Sequence, residues 1–393
     1  MLKEGLFHSS LMILLMIVTM CISLFSCQKD KSLLNDFGSY YLEKEKEFLI
    51  HSLSSVDLID YYPEDRLYLG STITHSGKEI CLVDESGRII LSRNMKGEGP
   101  EQYISNLSCL AFSEKGNIWA MTNRHILQYD QNLNILVKFT YESSLMFNIY
   151  TPAIKFSYIH KDTNQFEITF PTNPSGSSRH QVGKSQYYNT GKLLELYDQK
   201  KGYSNEIAPV SNRRITEDFL SITKSFYAPI YFTDAKSAKL FLTGTFDNKI
   251  TIYDLKSNTV VGNLDIYHGD PNAILPPTLI SPQKLPSTSE NWLLTPKNHK
   301  LYKLDNGLIA LEYIVGVSIN PNPKNVVAEI LQDFFHSKLI LFDQNKQISH
   351  DLTIPENGVI MTSLPGNRLL FKEVNPEREE DFSRYIIFKI MTE

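Results

Sequence analysis

Histidines and carboxylates are the first candidates for chemistry in this chain, because they ligate metals and transfer protons. Ten histidines occur among 393 residues, and none stands in an HxH, HxxxH or HExxH spacing. A zinc site would have to be assembled from distant segments, so we predict neither a metal site nor a cofactor. Residues 130–134 begin like a calcium loop, but Tyr141 stands where the bidentate glutamate belongs. We interpret the segment as a hairpin turn.

Motifs for nucleophilic and glycosidic catalysis are also missing from the sequence. No G-x-S-x-G elbow occurs, and residues 116–119 match only the end of the Asp-box turn of sialidases. Glycoside hydrolysis needs two carboxylates that face one bond, and the sequence does not show which of its 44 acidic residues converge. The formal net charge of −5 offers no basic surface, so we exclude nucleic acid as a partner.

A cysteine near the N-terminus has the clearest chemical context. The apolar run 11–22 suits the hydrophobic region of a signal peptide and is too short for a comfortable span of roughly 20 residues. The run ends in the sequence LFSC at 24–27, and polar residues follow. This ending resembles the lipobox of bacterial lipoproteins, although Phe25 departs from the usual small residue. The resemblance implies that the leader 1–26 is removed and that Cys27 carries lipid.

Lipid on Cys27 predicts a location in the cell envelope, held by a membrane that we expect to be the outer membrane. The face of that membrane stays open, and an uncleaved anchor or an ordinary signal peptide with an incidental cysteine are the alternatives. Among the remaining cysteines, Cys81 and Cys109 both lie in apolar runs. Export would permit a disulfide between them, but their apolar context favours buried free thiols.

One hairpin phrase recurs through residues 80–350: an apolar strand, an aspartate, a polar turn and a second strand. Its aspartates are Asp84, Asp130, Asp198, Asp254 and Asp343, with a weaker copy at Asp305. Aspartate and asparagine favour such turns because they bond to their own backbone. The strands are apolar on both faces, as expected for sheets packed between two neighbours. A repeat of about 40–50 residues is typical of a four-stranded propeller blade.

The recurrence predicts an all-β chain with a single β-propeller of four-stranded antiparallel blades. We place a tether over 27–50 and the propeller over 51–393, and we disfavour a β-sandwich with a second domain. The segment 41–49 is either a spacer helix or the strand that closes the ring against the C-terminal strand 385–390. Helical spacing leaves 325–336 open between strand and helix.

The residues 96–136 contain the longest recognisable pattern. A G-x-G-P-x-x-Y turn is formed by Gly97, Gly99, Pro100 and Tyr103, and the sequences GNIW and I-x-x-Y-D follow it. The pattern resembles the six-bladed β-propeller lipoproteins of Bacteroidota, many of which have no known function. The resemblance implies six blades, or seven if the copy around Asp305 is a complete blade. A phosphate loop would need a helix after the glycines, so we interpret these four residues as a structural turn between blades.

Two classes of function are compatible with these features. One is a non-catalytic binding or scaffold lipoprotein for a glycan, peptide or protein partner, and the other is an extracytoplasmic hydrolase or lyase with its site in the propeller funnel. The absence of a local catalytic motif favours the first, and no catalytic residue is assigned. The segments 171–191 and 269–296 interrupt the blade rhythm and suit adaptable recognition. Our candidate contact residues are Arg179, His180, Tyr187, Tyr188 and Trp292.

Overall fold

The computed structural model describes fourteen ranges of the chain. They are residues 37–75, 77–104, 106–122, 124–140, 154–155, 157–162, 165–171, 191–198, 203–213, 229–269, 297–315, 337–354, 357–374 and 381–393. Cys27, the open segment 325–336 and all five candidate contact residues lie outside these ranges. Within them, no helix has the length and apolar character needed to cross a membrane.

The described strands form six sheets, which we number by their first strand along the propeller. The chain begins with β1 (Tyr40–His51), which belongs to sheet 6. Sheet 1 contains β2 (Val56–Tyr62), β3 (Leu67–Thr74), β4 (Gly77–Asp84) and β5 (Ile89–Arg93). Sheet 2 contains β6 (Leu107–Phe112), β7 (Ile118–Thr122), β8 (His125–Tyr129), β9 (Ile135–Thr140) and the short β10 (Ile154–Lys155).

The other sheets follow in chain order. Sheet 3 contains β11 (Ser157–Asp162), β12 (Gln165–Pro171), β13 (Lys192–Asp198) and β14 (Tyr203–Pro209). Sheet 4 contains β15 (Pro229–Asp234), β16 (Lys239–Gly244), β17 (Lys249–Asp254) and β18 (Thr259–Asp265). Sheet 5 contains β19 (Lys297–Lys303), β20 (Ile309–Ile314), β21 (Ser337–Phe342) and β22 (Leu352–Thr353). Sheet 6 contains β23 (Gly358–Leu364), β24 (Arg368–Glu373), β25 (Phe382–Thr392) and β1.

The arrangement of these sheets is that of a β-propeller. Successive strands of each sheet pair antiparallel. The first strands of neighbouring sheets touch in the series β11, β15, β19, β23, β2 and β6. Packing of one sheet against the next explains strands such as β6, where all six residues are buried. The predicted all-β propeller with four-stranded antiparallel blades is confirmed.

The two ends of the chain meet in sheet 6. β1 pairs antiparallel with β25 from Tyr40 opposite Thr392 to His51 opposite Phe382. The segment 41–49 is therefore a strand, and it covers the edge of β25 that would otherwise be unpaired. Our division of the chain into leader, tether and propeller domain stays a prediction.

The hydrophobic core is divided among the junctions between sheets. One buried cluster joins sheets 1 and 2, a second joins sheets 6 and 1, a third joins sheets 5 and 6, and the largest joins sheets 3, 4 and 5. Cys81 and Cys109 are buried and free, as predicted, and burial raises the pKa of each thiol to about 12. Both thiols are therefore protonated and inert at neutral pH.

The recurring aspartates form turns between the third and fourth strands of their sheets. In four of these turns, one carboxylate oxygen accepts hydrogen bonds from two following backbone N–H groups at 2.7–3.1 Å. The four residues are Asp84, Asp130, Asp254 and Asp343. Asp198 ends β13, and nothing is described of its side chain.

The copy around Asp305 is a different turn. It joins β19 to β20, the first and second strands of sheet 5, in which Asp343 also lies. The copy around Asp305 is therefore not a complete blade, and the alternative of seven blades that depended on it is wrong. Tight turns of both kinds use the same Asp and Asn backbone chemistry, so the local sequence does not tell them apart.

Candidate functional site

The antiparallel order of the strands gives the propeller two different faces. We call the face that carries the first-to-second and third-to-fourth turns the turn face, and the opposite one the connecting face. Second-to-third and sheet-to-sheet connections lie at the connecting face. The segments 172–190 and 270–296 join β12 to β13 and β18 to β19, so both begin and end there. These segments carry the contact residues predicted from the sequence, none of which is described.

The G-x-G-P turn lies at the connecting face, between β5 and β6. The N–H of Gly97 donates to the carbonyl oxygen of Tyr103, and the N–H of Tyr103 donates to that of Met95, both at 3.0 Å. The N–H of Gly99 donates to Oε1 of Gln102 at 2.9 Å. A Cβ at Gly97 would lie 2.1 Å from that oxygen, so a side chain there would displace Gln102 from its bond.

A cleft of about 570 Å³ lies beside this turn. Its walls come from the β1–β2 connection, the β3–β4 hairpin and the segment that joins β5 to β6. The lining residues are Ser54, Ile73, Thr74, His75, Gly77, Lys78, Lys96, Tyr103, Asn106 and Leu107. The volume falls in the range of about 300–1,000 Å³ that is typical of small-molecule sites. We call it the blade-turn cleft.

Lys78 is the buried charge of the blade-turn cleft. It lies on β4 in the same alternation as Ile80 and Leu82, both of which belong to the core between sheets 1 and 2. It is 5% exposed, and its ammonium group donates to the carbonyl oxygen of Leu107 at 2.8 Å. Burial lowers its pKa.

Two further polar residues, Lys96 and Tyr103, line the same cleft. The exposed Lys96 donates to Oδ1 of Asn106 at 3.2 Å. Tyr103 is 1% exposed, and its hydroxyl has no hydrogen-bond partner among the described residues. The cleft therefore combines two ammonium groups with a buried phenol and an apolar wall.

The fold was compared with those of solved structures. A member of the DUF4221 family from Bacteroides vulgatus is similar in fold. Its TM-score is 0.59 at 11% identity, over 91% of this chain and 99% of that chain. A Bacteroides fragilis protein called "Putative exported protein" gives a TM-score of 0.47 at 10% identity, over 91% of this chain and 95% of that chain. No protein-family model and no curated protein matches the sequence. At 11% identity, the likeness to the DUF4221 member shows the β-propeller fold alone.

The centre of the propeller holds a second group of charges. β10 pairs parallel with the inner edge of β6 and also contacts β2. Through this strand, Nζ of Lys155 lies 2.7 Å from Oδ1 of Asp60, which is 6% exposed. The other oxygen of Asp60 accepts the N–H of Phe112 at 2.8 Å. Asp60 therefore ties sheets 1 and 2 together at their first strands, which in a β-propeller surround the central channel.

Lys300 is the perturbed amine of the channel. Its ammonium group on β19 donates to the carbonyl oxygen of Met361 on β23 at 2.6 Å and lies 5.1 Å from the ring centroid of Tyr302. Burial lowers the pKa of Lys300 to about 8; nearby Glu312 partly offsets this effect, and Lys155 adds to it. The hydroxyl of Tyr302 donates to Glu312 at 2.6 Å. An amine with this pKa can exchange protons near neutral pH.

Burial also lowers the pKa of His299, the neighbour of Lys300. Among the described residues, no cluster of His, Cys, Asp and Glu side chains has the geometry of a metal site. Neither lysine was predicted from the sequence. The one available signal for Lys78 is a lysine in register with the core residues of its strand, and Lys300 has no comparable signal.

A second cleft, of about 650 Å³, lies between the end of sheet 3 and sheet 4. Arg213 and Asp247 meet there at 3.2 Å, with side chains 0% and 1% exposed. The same guanidinium donates to Thr251 and Tyr253 at 2.9 and 3.1 Å. The charge of Arg213 is therefore balanced by a carboxylate, whereas Lys78 has no carboxylate partner among the described residues.

Proposed function

We propose that the protein is a lipid-anchored, extracytoplasmic binding lipoprotein, which holds a ligand at the connecting face of a single propeller of six blades. The blade-turn cleft is the observation that carries this proposal. It is of ligand size, lies at the face where the long segments 172–190 and 270–296 begin and end, and contains a buried charge. Recognition is commonly placed on loops held by a rigid scaffold. The ligand would be a small molecule, glycan, peptide or protein partner held at this face.

The count of six blades is supported by the six sheets and by the series of contacts between their first strands. The anchor is supported by the sequence at 24–27. Labelling cells with radioactive palmitate tests it: we expect label on the wild type and none on Cys27→Ser. Equal labelling of both proteins would remove the anchor from the proposal.

Site-specific photocrosslinking in intact cells tests binding at the connecting face. A photoreactive amino acid replaces the exposed His75 at the cleft or, as a matched control, the exposed Asn132 in a tight turn at the turn face. We expect specific adducts from position 75 and none from position 132. Equal adducts from both positions, or adducts from position 132 alone, would contradict binding at the connecting face.

The perturbed amine of Lys300 favours a second candidate function, an extracytoplasmic hydrolase or lyase in the central channel. A general base works best with a pKa near the operating pH, and the pKa of Lys300 is about 8. The carboxylate of Asp60 pairs with Lys155, and that of Glu312 accepts a hydrogen bond from Tyr302. Both carboxylates therefore have structural partners. Turnover of a glycan or peptide that is lost in Lys300→Met and retained in Lys78→Met would favour the enzyme over the binding protein.

A further inference from the structure

We infer that the blade-turn cleft binds a small anionic ligand, whose carboxylate, sulfate or phosphate group pairs with the ammonium group of Lys78. This inference rests on the proposed binding function and names the ligand class of the same site. Ile80 and Leu82 continue the same strand face as core residues, so a lysine at position 78 departs from the apolar pattern of its strand.

The buried charge of Lys78 carries an energetic cost. An ammonium group has three donors, and the described residues give that of Lys78 one acceptor, the carbonyl oxygen of Leu107. No carboxylate of the described residues lies within ion-pair distance of it. The nearby Glu79 accepts from Ser92 at 2.8 Å instead. A buried charge without a counter-charge costs several kcal/mol, and an anion in the cleft would offset that cost.

Two other buried cations, Lys372 and Arg213, are each paired with a carboxylate. Lys372 lies 2.6 Å from Asp57, Arg213 lies 3.2 Å from Asp247, and each member of these pairs is mostly or wholly buried. Both cations therefore obey the rule that buried charges are paired. Among the described residues, Lys78 has no such partner, and it lines an open cleft, so a negative charge can reach it from outside the protein.

The cleft also offers a second positive charge and an apolar wall to a ligand. Lys96 supplies a second, exposed ammonium group at the rim, where an anion would be attracted before it reaches Lys78. Ile73 and Leu107 supply apolar wall next to polar groups, as in sites for organic molecules. An organic anion with a small apolar body fits this combination better than a bare inorganic ion.

Thermal unfolding of the full-length lipoprotein in detergent tests the inference. The probes are benzoate, its neutral isostere benzamide, and inorganic sulfate, each added at constant ionic strength against sodium chloride. A ligand that binds the folded state raises the midpoint with its concentration. We expect benzoate to raise it and benzamide to leave it unchanged, and the sulfate series tells whether a tetrahedral anion is also accepted.

Variants assign the effect to the cleft. In Lys78→Met the apparent Kd for benzoate should rise about tenfold or more, because a charge-assisted bond is lost. Lys96→Met should weaken binding less, and Lys115→Met, an exposed lysine at the turn face, should match the wild type. If Lys78→Met does not fold, Lys78→Arg and Lys96→Met replace it. The charge-retaining Lys78→Arg should keep the benzoate response, and Lys96→Met should reduce it.

The inference is overturned if the wild type responds to neither anion, if benzamide acts like benzoate, or if Lys78→Met keeps the wild-type Kd. These failures differ from failure of the proposed function. Photocrosslinks at position 75 without any anion response would leave a binding face with a neutral ligand. An anion response without such crosslinks would leave a small-molecule site and remove a macromolecular partner.

Discussion

Two neighbouring junctions between sheets differ in how they pair their buried polar side chains. Each contains a lysine and a tyrosine that are mostly or fully buried: Lys372 and Tyr385 between sheets 6 and 1, and Lys78 and Tyr103 between sheets 1 and 2. The ammonium group of Lys372 reaches Ser55, Val56 and Asp57 at 2.6–3.0 Å. That of Lys78 reaches one carbonyl oxygen.

The hydroxyl groups of the two tyrosines differ in their hydrogen bonds in the same way. The hydroxyl of Tyr385 donates to the carbonyl oxygen of Val56 at 2.6 Å and accepts the N–H of Leu58 at 3.2 Å. The hydroxyl of Tyr103 has no described partner. Native proteins satisfy most buried polar groups, so the first junction shows polar groups used to close the ring. The second contains a lysine with one described acceptor and a tyrosine hydroxyl with no described partner, and both residues line a cleft.

Loss of the ion pair at the first junction should lower the free energy of unfolding the most. Lys372→Met leaves Asp57 mostly buried without its cation, which should lower the free energy of unfolding by about 3 kcal/mol. Lys78→Met is the matched control and should leave it unchanged or raise it, because the variant loses one hydrogen bond but also removes a buried charge that has no described counter-charge. Chemical denaturation of the two variants measures this difference. Equal losses would mean that Lys78 is as well paired as Lys372.

Loss of the tyrosine hydroxyl at the first junction should have the second largest effect on the free energy of unfolding. Tyr385→Phe removes a donor from the carbonyl oxygen of Val56 and an acceptor from the buried N–H of Leu58. We expect a loss of about 2 kcal/mol in the free energy of unfolding, from one hydrogen bond and one unsatisfied group. Urea denaturation checks the value. A neutral result would show that the network at this junction does not contribute to ring closure.

The channel lysine gives a third charge to compare. The pKa of Lys300 is about 8 in the folded protein against 10.5 ordinarily, so the folded state binds fewer protons than the unfolded state between these values. Stability therefore rises with pH in this window, by about 1 kcal/mol between pH 8 and pH 9 relative to Lys300→Met. Using the variant as reference cancels the opposing contribution of the buried thiols. A difference that stays constant with pH would show that the pKa of Lys300 is not lowered.

The sequence allowed the blades to be predicted because their turns are local. An aspartate that bonds to the next backbone N–H groups marks a hairpin wherever it occurs, and Asp84, Asp130, Asp254 and Asp343 follow this rule. The same locality explains the error at Asp305, since a turn between first and second strands uses the same chemistry.

The candidate site could not be predicted in this way because its chemistry is non-local. Lys78 meets the carbonyl oxygen of Leu107, 29 residues away, only when sheets 1 and 2 pack together. Lys300 meets Met361 only when sheets 5 and 6 do. The G-x-G-P turn marked the region, but its residues shape the wall of the cleft and do not reveal the charge inside it. The contacts predicted at Arg179 and Trp292 stay predictions.

The smallest expected effect belongs to the tyrosine of the second junction. Tyr103→Phe removes a buried hydroxyl that has no described partner, and such a group costs about 1–3 kcal/mol when it is left unsatisfied. The phenylalanine ring fills nearly the same space, so the apolar contacts of the core between sheets 1 and 2 are retained. We expect the free energy of unfolding to stay unchanged or to rise by up to about 1 kcal/mol. Denaturation beside Tyr385→Phe measures it. A loss as large as that of Tyr385→Phe would show that the hydroxyl has a partner in the folded protein, and the contrast between the two junctions would fall.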